Sequence, residues 1–261
     1  FTEVCKTIKN FGTTITFQCY QNRTSTKNIP LRSESPPLII KGILGEGGMG
    51  TVYLAQQQFP NREIALKRVK PHDEYNTMEI FEEGMLIGRL EHPNIIPIYS
   101  LNMQGEYGPE VWMKKVKGIT FHQALKNGDF PRHKYKEAIR AMLSICHALE
   151  YAHSKNIIHR DVKLQNIMLG EFGSVYLLDW GIAVQKGNLD VVDDRIVGTP
   201  NQMAPEMLLG RAELITEQTD IFLFGGCLHE IVTGEKKYKG KKIVSLQQKF
   251  KGGSFILCYH K

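Results

Sequence analysis

Residues 159–166 read His-Arg-Asp-Val-Lys-Leu-Gln-Asn and hold the densest group of chemically active side chains in the sequence. They supply a carboxylate at Asp161, an ammonium at Lys163 and an amide at Asn166. A phosphoryl-transfer site needs those three groups, as a base for the incoming hydroxyl, a cation for the transferred phosphate and an oxygen ligand for a metal. A purely structural polar loop is the alternative interpretation.

The segments on both sides of this loop support a folded site. Residues 136–153 predict an amphipathic helix, because apolar side chains recur at 3.6-residue spacing. The predicted apolar face consists of Ile139, Met142, Leu143, Cys146 and Leu149. On the other side, Asp179 closes an apolar run. Because Mg²⁺ prefers hard oxygen ligands, Asp179 joins Asn166 as a candidate metal ligand.

A glycine-rich stretch lies between two strand-like runs, residues 38–44 and 51–55. It consists of Gly45, Glu46, Gly47, Gly48, Met49 and Gly50. Glycine lets a backbone approach phosphates closely, but a hairpin turn would use the same residues. A dinucleotide-binding unit would need a helix at the third glycine. Because the chain continues as a strand there, that interpretation is disfavoured.

Lys67 emerges from the apolar run Ile64-Ala65-Leu66, which predicts a strand. A lysine at a sheet edge, pointing into solvent, is the plain interpretation. A functional lysine would pair with phosphates and with a carboxylate of the next helical segment, where Glu82 and Glu83 are the candidates.

The composition limits the class of protein. The chain has 261 residues, of which 42% are hydrophobic and 23% charged, as in globular proteins. The net charge of +6 is a mild basic excess, and nucleic-acid binding is not expected. No apolar run reaches the ~18–20 residues of a membrane span. Five scattered cysteines without a CxxC pair and no visible signal peptide predict a cytoplasmic protein with reduced thiols.

Changes in composition divide the chain into three segments. Residues 1–37 are predicted to be a poorly structured lead-in, and residues 244–261 a divergent basic tail. Between them, residues 38–243 predict an α+β domain. Its first part, residues 38–116, is a small strand-rich lobe with one helix, and residues 117–243 form a helical lobe.

Five segments, in this order and spacing, resemble the protein kinase signature set. They are the glycine-rich stretch, the Lys67 strand, the 159–166 loop, Asp179-Trp180-Gly181 and residues 198–206, which contain Gly-Thr-Pro and Met-Ala-Pro-Glu. The pattern is similar to bacterial eukaryotic-like serine/threonine kinases, and its details are most similar to the chlamydial Pkn kinases. The resemblance implies a bilobal kinase fold with ATP and Mg²⁺ as cofactors. It also implies Ser/Thr hydroxyls of proteins as acceptors, with the chain itself as a possible acceptor. A membrane partner is not expected for this segment, because a solvated charge run is the favoured interpretation of its lysine-rich tail.

The resemblance also implies roles for individual residues. Asp161 would accept the proton of the substrate hydroxyl, and Lys163 would stabilise the γ-phosphoryl group. Lys67 would hold the α- and β-phosphates while paired with Glu83. The metal ligands would be Asn166 and Asp179. The nucleotide would contact residues 45–50 through its phosphates, and its adenine would contact Val52, Ala65, Met113, Lys115 and Met168.

Two features depart from the family pattern. At the hinge, Lys114 and Lys115 replace the usual acidic and aromatic residues, which is expected to alter inhibitor preference more than ATP binding. The helical lobe is shorter than in the family and is predicted to be incomplete. No arginine follows Arg211, so Glu206 is expected to lack the buried arginine that usually pairs with it.

Three alternatives remain open from the sequence. A shortened kinase-like chain would be an inactive ATP-binding scaffold, or a chain that needs a partner in order to fold. A small-molecule kinase of similar fold is disfavoured by residues 198–206, which resemble a platform for protein substrates.

The segment between residues 181 and 198 generates a prediction. Arg160 commonly grips an activation-loop phosphate in such kinases, yet this segment contains no Ser, Thr or Tyr. We hypothesise that Asp190, Asp193 or Asp194 replaces the phosphate permanently, the alternative being a solvated acidic loop. Exchanging all three for Asn should therefore lower phosphate incorporation. Unchanged incorporation would remove the hypothesis.

Overall fold

The computed structural model describes residues 5–10, 13–18, 38–47, 50–70, 74–106, 108–130, 135–186, 197–199, 202–210 and 212–236. The chain divides into two compact units, Phe1–Ser35 and Pro36–Lys261. Over the described ranges, no helix has the length and apolar character needed to cross a membrane.

The first unit contains an antiparallel hairpin of strands β1 (Cys5–Asn10) and β2 (Thr13–Gln18), in which Asn10 lies opposite Thr13. The sequence prediction of a poorly structured lead-in over residues 1–37 did not include this hairpin. Thr and Ile occur in both strands, and β-branched residues favour extended backbone.

The second unit contains the remaining strands and helices in the order of an α+β domain. The strands are β3 (Leu38–Glu46), β4 (Thr51–Gln57), β5 (Arg62–Arg68), β6 (Ile98–Gly105), β7 (Gly108–Lys114), β8 (Gly118–Thr120), β9 (Ile157–Ile158), β10 (Ile167–Gly170), β11 (Val175–Leu177) and β12 (Val184–Gln185). The helices are α1 (Glu74–Ile87), α2 (Phe121–Asn127), α3 (Tyr135–Ser154), α4 (Pro205–Leu208) and α5 (Glu217–Thr233).

Strands β3 to β7 form one antiparallel sheet in the order β3-β4-β5-β7-β6. One face carries the buried cluster Ala55, Ile64, Leu66 and Trp112. The other face packs Val69 and Val111 against Ile80 of α1. This arrangement confirms the predicted strand-rich lobe with one helix.

Helix α3 is the long helix at the centre of the helical lobe. Its buried residues are Ala138, Ala141, Met142, Ile145, Ala148, Leu149 and Ala152. The predicted apolar face was wrong in part, because Ile139 is 50% exposed and Leu143 is 54% exposed. The alanines explain the difference. Their small side chains let the helix approach the core closely, and a pattern based on large apolar residues does not include them.

Helix α5 closes the described part of this lobe. It begins after Thr216, whose side chain forms a capping box with Thr219, and ends at Gly234 in the left-handed conformation (φ 72°). Thr219 also donates its hydroxyl to the buried Glu206 carboxylate at 2.6 Å. Glu206, expected to lack a cationic partner, is therefore bound by a neutral donor.

A buried ionic cluster lies on the face of the first sheet that carries Trp112. Arg68 of β5 binds Glu110 of β7 at 2.7 Å and Glu106 at 2.8 Å. Glu110 also accepts from Asn102 Nδ2 at 3.1 Å and from the Trp112 indole at 3.4 Å. Since Arg68 and Glu110 are paired across the strands, the cluster fixes the register of β5 on β7.

The two carboxylates that bind Arg68 give a matched pair of variants. The side chain of Glu110 is 4% exposed and that of Glu106 is 59% exposed. Glu110→Ala should lower the free energy of unfolding by about 3 kcal/mol, because a buried charge loses its partner. Glu106→Ala should cost less than about 1 kcal/mol. Urea unfolding followed by tryptophan fluorescence measures both, and equal losses would contradict this account of the cluster.

Candidate active site

The Asp161 carboxylate is held by three side chains. Lys163 Nζ donates to Oδ2 at 2.6 Å, and Asn166 Nδ2 donates to the same oxygen at 2.9 Å. The hydroxyl of Thr199 donates to Oδ1 at 3.3 Å and accepts from Lys163 Nζ at 3.0 Å. The structure therefore brings the three predicted loop residues together and adds Thr199 from the distant segment 197–199.

Asp220 of α5 fixes the backbone of this loop. Its carboxylate is fully buried and accepts the backbone N–H groups of His159 and Arg160, each at 2.8 Å. It also contacts His153 Nε2 at 2.8 Å. These bonds hold Arg160 in the left-handed region (φ 65°), where non-glycine residues are uncommon.

His159 connects the loop to the segment that contains Asp179. Its ring is fully buried, accepts the Asp161 N–H at Nδ1 (3.1 Å) and lies 3.1 Å from the Leu178 carbonyl through Nε2. This pattern places the ring proton on Nε2. The ring also packs edge-on against Trp180, with centroids 4.5 Å apart. Trp180 is 1% exposed, which agrees with its interpretation as a packing residue.

Lys67 lies at the meeting point of two carboxylates. Its Nζ binds Glu83 of α1 and lies 3.5 Å from Asp179 Oδ1. Burial alone would lower the pKa of Lys67, but both carboxylates favour the ammonium and leave its pKa above the ordinary value. Of the two candidates on the helix, Glu83 is therefore the one that contacts Lys67.

The residues predicted to line the nucleotide site fall into two groups. Val52 pairs with Lys67, and Ala65 pairs with Met113, so strand alternation places all four side chains on one face of the first sheet. Met168 lies on β10, in a separate three-stranded sheet with β8 and β11.

The glycine-rich stretch forms the turn between β3 and β4. Glu46 lies opposite Thr51, and the Gly47 N–H donates to the Gly50 carbonyl at 2.9 Å. A Cβ at Gly50 would lie 2.4 Å from the Arg68 carbonyl oxygen, so packing requires glycine there. A Cβ at Gly45 would meet no atom within 4 Å, and packing does not explain that glycine.

Gly48 and Met49 lie outside the described residues. The hypothesis about Asp190, Asp193 and Asp194 also concerns residues outside them. What the structure shows is that Arg160 donates from Nε to the Ile182 carbonyl. Burial lowers the pKa of Arg160 to about 10, an effect that Asp220 partly offsets, so the guanidinium remains charged at neutral pH.

The two hinge lysines have separate partners. Lys114 Nζ donates to the Tyr176 hydroxyl of β11 and lies 4.7 Å from the centre of that ring. Lys115 Nζ lies 3.5 Å from Glu63 Oε2 on the first sheet. Because Lys114 follows Met113 on β7, alternation turns it to the sheet face opposite Lys67.

Few side chains near Asp161 could bind a metal ion. Over the described residues, no group of three or more His, Cys, Asp or Glu side chains is arranged to hold a metal ion. Asp179 has a side chain that is 45% exposed, and Asn166 uses its amide nitrogen to bind Asp161. One carboxylate and one amide oxygen fit Mg²⁺, which keeps several waters and uses phosphate oxygens as further ligands.

Sequence reasoning missed several residues that position the site. Asp220 contacts the loop and Tyr176 contacts the hinge, each across more than sixty residues of sequence. His153 contacts Asp220. An acidic residue near the start of an otherwise apolar helix was the only local signal for Asp220. No local signal in the sequence indicates Tyr176.

Comparison with known proteins defines the class to which this fold and site belong. Residues 38–256 match the protein kinase domain family. The chain therefore belongs to the protein kinase family. Members of this family use ATP and a divalent metal ion and act on protein substrates.

The chain is also similar to individual proteins that are named serine/threonine-protein kinases. The chain is 36% identical to serine/threonine-protein kinase PknD of Chlamydia pneumoniae, over 77% of this chain and 25% of that protein. It is 34% identical to PknD of Chlamydia muridarum and 33% identical to PknD of Chlamydia trachomatis, with the same coverage. These matches confirm the resemblance to chlamydial Pkn kinases. The chain spans about a quarter of the length of these relatives.

The contact between Lys114 and Tyr176 generates a prediction. A hydrogen bond to a charged group, with the ring contact, should couple the two side chains by about 1–2 kcal/mol. Lys114→Met, Tyr176→Phe and the double variant form the thermodynamic cycle, with urea unfolding as the measurement. Lys115→Met is the matched control, because Lys115 pairs with Glu63 instead. Coupling of Tyr176 to Lys115 as large as that to Lys114 would contradict the assignment.

Proposed function

We propose that this chain is a serine/threonine protein kinase, which transfers the γ-phosphoryl group of ATP to protein hydroxyls. The observation that carries the proposal is the Asp161 carboxylate with its partners Lys163, Asn166 and Thr199. Asp161 is 9% exposed, so this carboxylate acts in a site largely shielded from water. Such shielding strengthens its interactions with charges that develop during the reaction.

Asp161 is assigned as the base. As the acceptor hydroxyl oxygen bonds to the γ-phosphorus, its proton moves to Asp161 and the bond from phosphorus to the leaving oxygen of ADP breaks. Lys163 lies between Asp161 and Thr199, where its ammonium is available to the transferred group. The buried hydrogen bonds from Asn166 orient the carboxylate before the reaction, which reduces the reorganisation needed.

The assignments of the nucleotide and metal sites are based on the side chains that could bind phosphate oxygens and a metal ion. When bound, ATP and Mg²⁺ supply the γ-phosphoryl group and neutralise its charge. Lys67, held protonated beside Glu83, would bind phosphate oxygens, and Asp179 with Asn166 would bind the metal. The open space at Gly45 supports the assignment of the glycine-rich turn to the phosphates, because a Cβ there would meet no atom of the described residues within 4 Å.

The substrate class is supported by the contact between Lys163 and Thr199. A lysine in the catalytic loop and a threonine in the platform segment resemble serine/threonine kinases, and the two side chains lie 3.0 Å apart here. The relatives named above are serine/threonine-protein kinases by name. Autophosphorylation is included in the proposal, since the chain carries its own Ser and Thr hydroxyls.

Phosphate incorporation from Mg-ATP tests the proposal. Asp161→Asn should lower incorporation into the chain and into a generic basic protein by about 10²–10⁴-fold, the usual contribution of a general base. The affinity for a fluorescent ATP analogue should stay within a few-fold, because Asp161 does not hold the nucleotide. Asp129→Asn is the matched control, since Asp129 is exposed in the turn after α2.

Three outcomes would contradict the proposal, in whole or in part. A folded chain that binds the ATP analogue but incorporates no phosphate would be a kinase-like scaffold. Incorporation that Asp161→Asn leaves unchanged would assign the base to another residue. Label found on tyrosine alone would overturn the substrate class and leave phosphoryl transfer intact.

A further inference from the structure

Glu230 of α5 is a buried carboxylate that does not belong to the group of side chains around Asp161. The residue is 3% exposed. Its Oε1 lies 3.2 Å from His122 Nδ1 of α2, and its Oε2 accepts a hydrogen bond from Gln202 Nε2 at 3.2 Å. Among the residues that the structure describes, no lysine or arginine pairs with this carboxylate. Glu230 therefore joins α2 and α5 to Gln202, which lies three residues after Thr199.

Stability does not explain the choice of a carboxylate at this buried position. Replacing buried charged groups by well-packed apolar residues of similar volume is often neutral or stabilising. The Gln202 amide adds a second cost, because its Oε1 is buried and accepts no hydrogen bond from the described residues. Buried polar groups can be retained in spite of such costs where they fix one arrangement of the chain. The arrangement that Glu230 fixes is the position of the Gln202 side chain.

Gln202 connects Glu230 to Thr199 through backbone hydrogen bonds. The N–H groups of Gln202 and Met203 both donate to the Thr199 carbonyl, at 2.9 and 3.1 Å. Met203 is 1% exposed, so the core holds the chain directly after Gln202. The Thr199 carbonyl is therefore held by a backbone that Glu230 and the core fix together.

The hydroxyl of Thr199 lies at the other end of this connection. It donates to Asp161 Oδ1 at 3.3 Å and accepts from Lys163 Nζ at 3.0 Å. A distance of 3.3 Å is long for a hydrogen bond between two oxygen atoms, so a small displacement of the Thr199 backbone would break it. The contact with Asp161 consequently depends on how firmly the Thr199 backbone is held.

We infer that Glu230 positions Thr199 beside Asp161 and so supports the proposed phosphoryl transfer. Its carboxylate fixes the Gln202 side chain, and the Gln202 backbone fixes the Thr199 carbonyl. His122 contacts the other oxygen of Glu230 and so helps to set the position of the carboxylate itself. Glu230 is a positioning residue, because it acts on Asp161 only through other residues. The inference rests on the proposed function for its effect on the reaction, whereas the contacts themselves have a separate test.

Variants of Glu230 in the full 261-residue chain test the effect on the reaction. Glu230→Leu removes both contacts and should lower the kcat of phosphate incorporation from Mg-ATP by about 10–100-fold, the size of effect that follows a small displacement in an active site. The affinity for a fluorescent ATP analogue should stay within a few-fold. Glu230→Gln should recover most of the kcat, because its amide oxygen still accepts from Gln202.

Glu217→Leu is the matched control for these variants. Glu217 is a carboxylate on the same helix, but its partner is Lys186, at 2.8 Å. Its kcat should therefore equal that of the unmodified chain. Undiminished kcat in Glu230→Leu would overturn the inference and leave the proposed function intact. No incorporation by the unmodified chain would contradict the proposed function itself.

A double-variant cycle separates an effect through Thr199 from a general loss of structure. Thr199→Val removes the hydroxyl that contacts Asp161 and keeps the backbone carbonyl. In that background Glu230→Leu should have little further effect on kcat, because the contact that it disturbs is already absent. Multiplying losses of kcat would show that Glu230 acts independently of Thr199, and would overturn the inference.

Acceptor peptides of different charge separate positioning from direct binding of the acceptor. Glu230→Leu should lower kcat by the same factor for a basic and a neutral peptide and leave both KM values unchanged. A rise in KM confined to the basic peptide, with kcat unchanged, would show that Glu230 binds a cation of the acceptor. That result would overturn the inference.

Amide hydrogen exchange tests the contacts without any need for activity. In Glu230→Leu the N–H groups of Gln202 and Met203 should exchange about 5–30-fold faster than in the unmodified chain, since a fold-change of this size corresponds to the loss of one or two ordinary contacts. The N–H of Leu149, in the buried helix α3, is the internal control and should keep its protection. Unchanged exchange of Gln202 and Met203 would overturn the inference, whether or not the chain is active.

Discussion

The fully buried carboxylate of Asp220 is the interaction on which the arrangement of the active site depends. It accepts two consecutive backbone N–H groups, of His159 and Arg160, and contacts His153 from a third side. Those backbone bonds set the direction of the chain as it enters Asp161. Without the carboxylate, two buried donors would lose their acceptor, at about 1–3 kcal/mol each. The Asp161 carboxylate would also lose its fixed position. Helix α5 is therefore a positioning element for the backbone that carries Asp161.

A second constraint joins the two lobes through charge. Lys67 belongs to the sheet, Glu83 to α1 and Asp179 to the segment after β11, so one ammonium connects three elements. The pair with Glu83 is buried, and breaking such a pair costs several kcal/mol because one charge is left without its partner. The contact with Asp179 is longer and more exposed. The contact with Glu83 therefore fixes Lys67 to α1, while its ammonium remains available to phosphate oxygens. Both properties are needed in a residue that is assigned to bind the nucleotide.

The sequence allowed prediction of those features that are encoded by short segments. The loop at 159–166, the glycine-rich turn and the strand of Lys67 each place their chemistry within a few residues. Spacing and residue type were therefore enough to bring Asp161, Lys163 and Asn166 together. Prediction failed where the contacting residues are far apart in the sequence. It also failed where a helix has two apolar faces and only the packing of the core determines which one is buried. Helix α3 carries apolar residues on more than one side, and its alanines decided which side is buried. The partners of Lys114 and Glu206, by contrast, are set by tertiary packing.

Trp180 shows how the site tolerates a residue larger than the usual phenylalanine. Its ring is buried against His159, yet its indole N–H has no acceptor among the residues that the structure describes. The nearby Leu178 carbonyl already accepts from His159 Nε2. An unsatisfied buried donor costs about 1–3 kcal/mol. Burying an aromatic ring of about 150–250 Å² contributes several kcal/mol at ~25 cal/mol per Å². Packing therefore outweighs the lost hydrogen bond, and the Asp179 segment keeps its place beside Lys67.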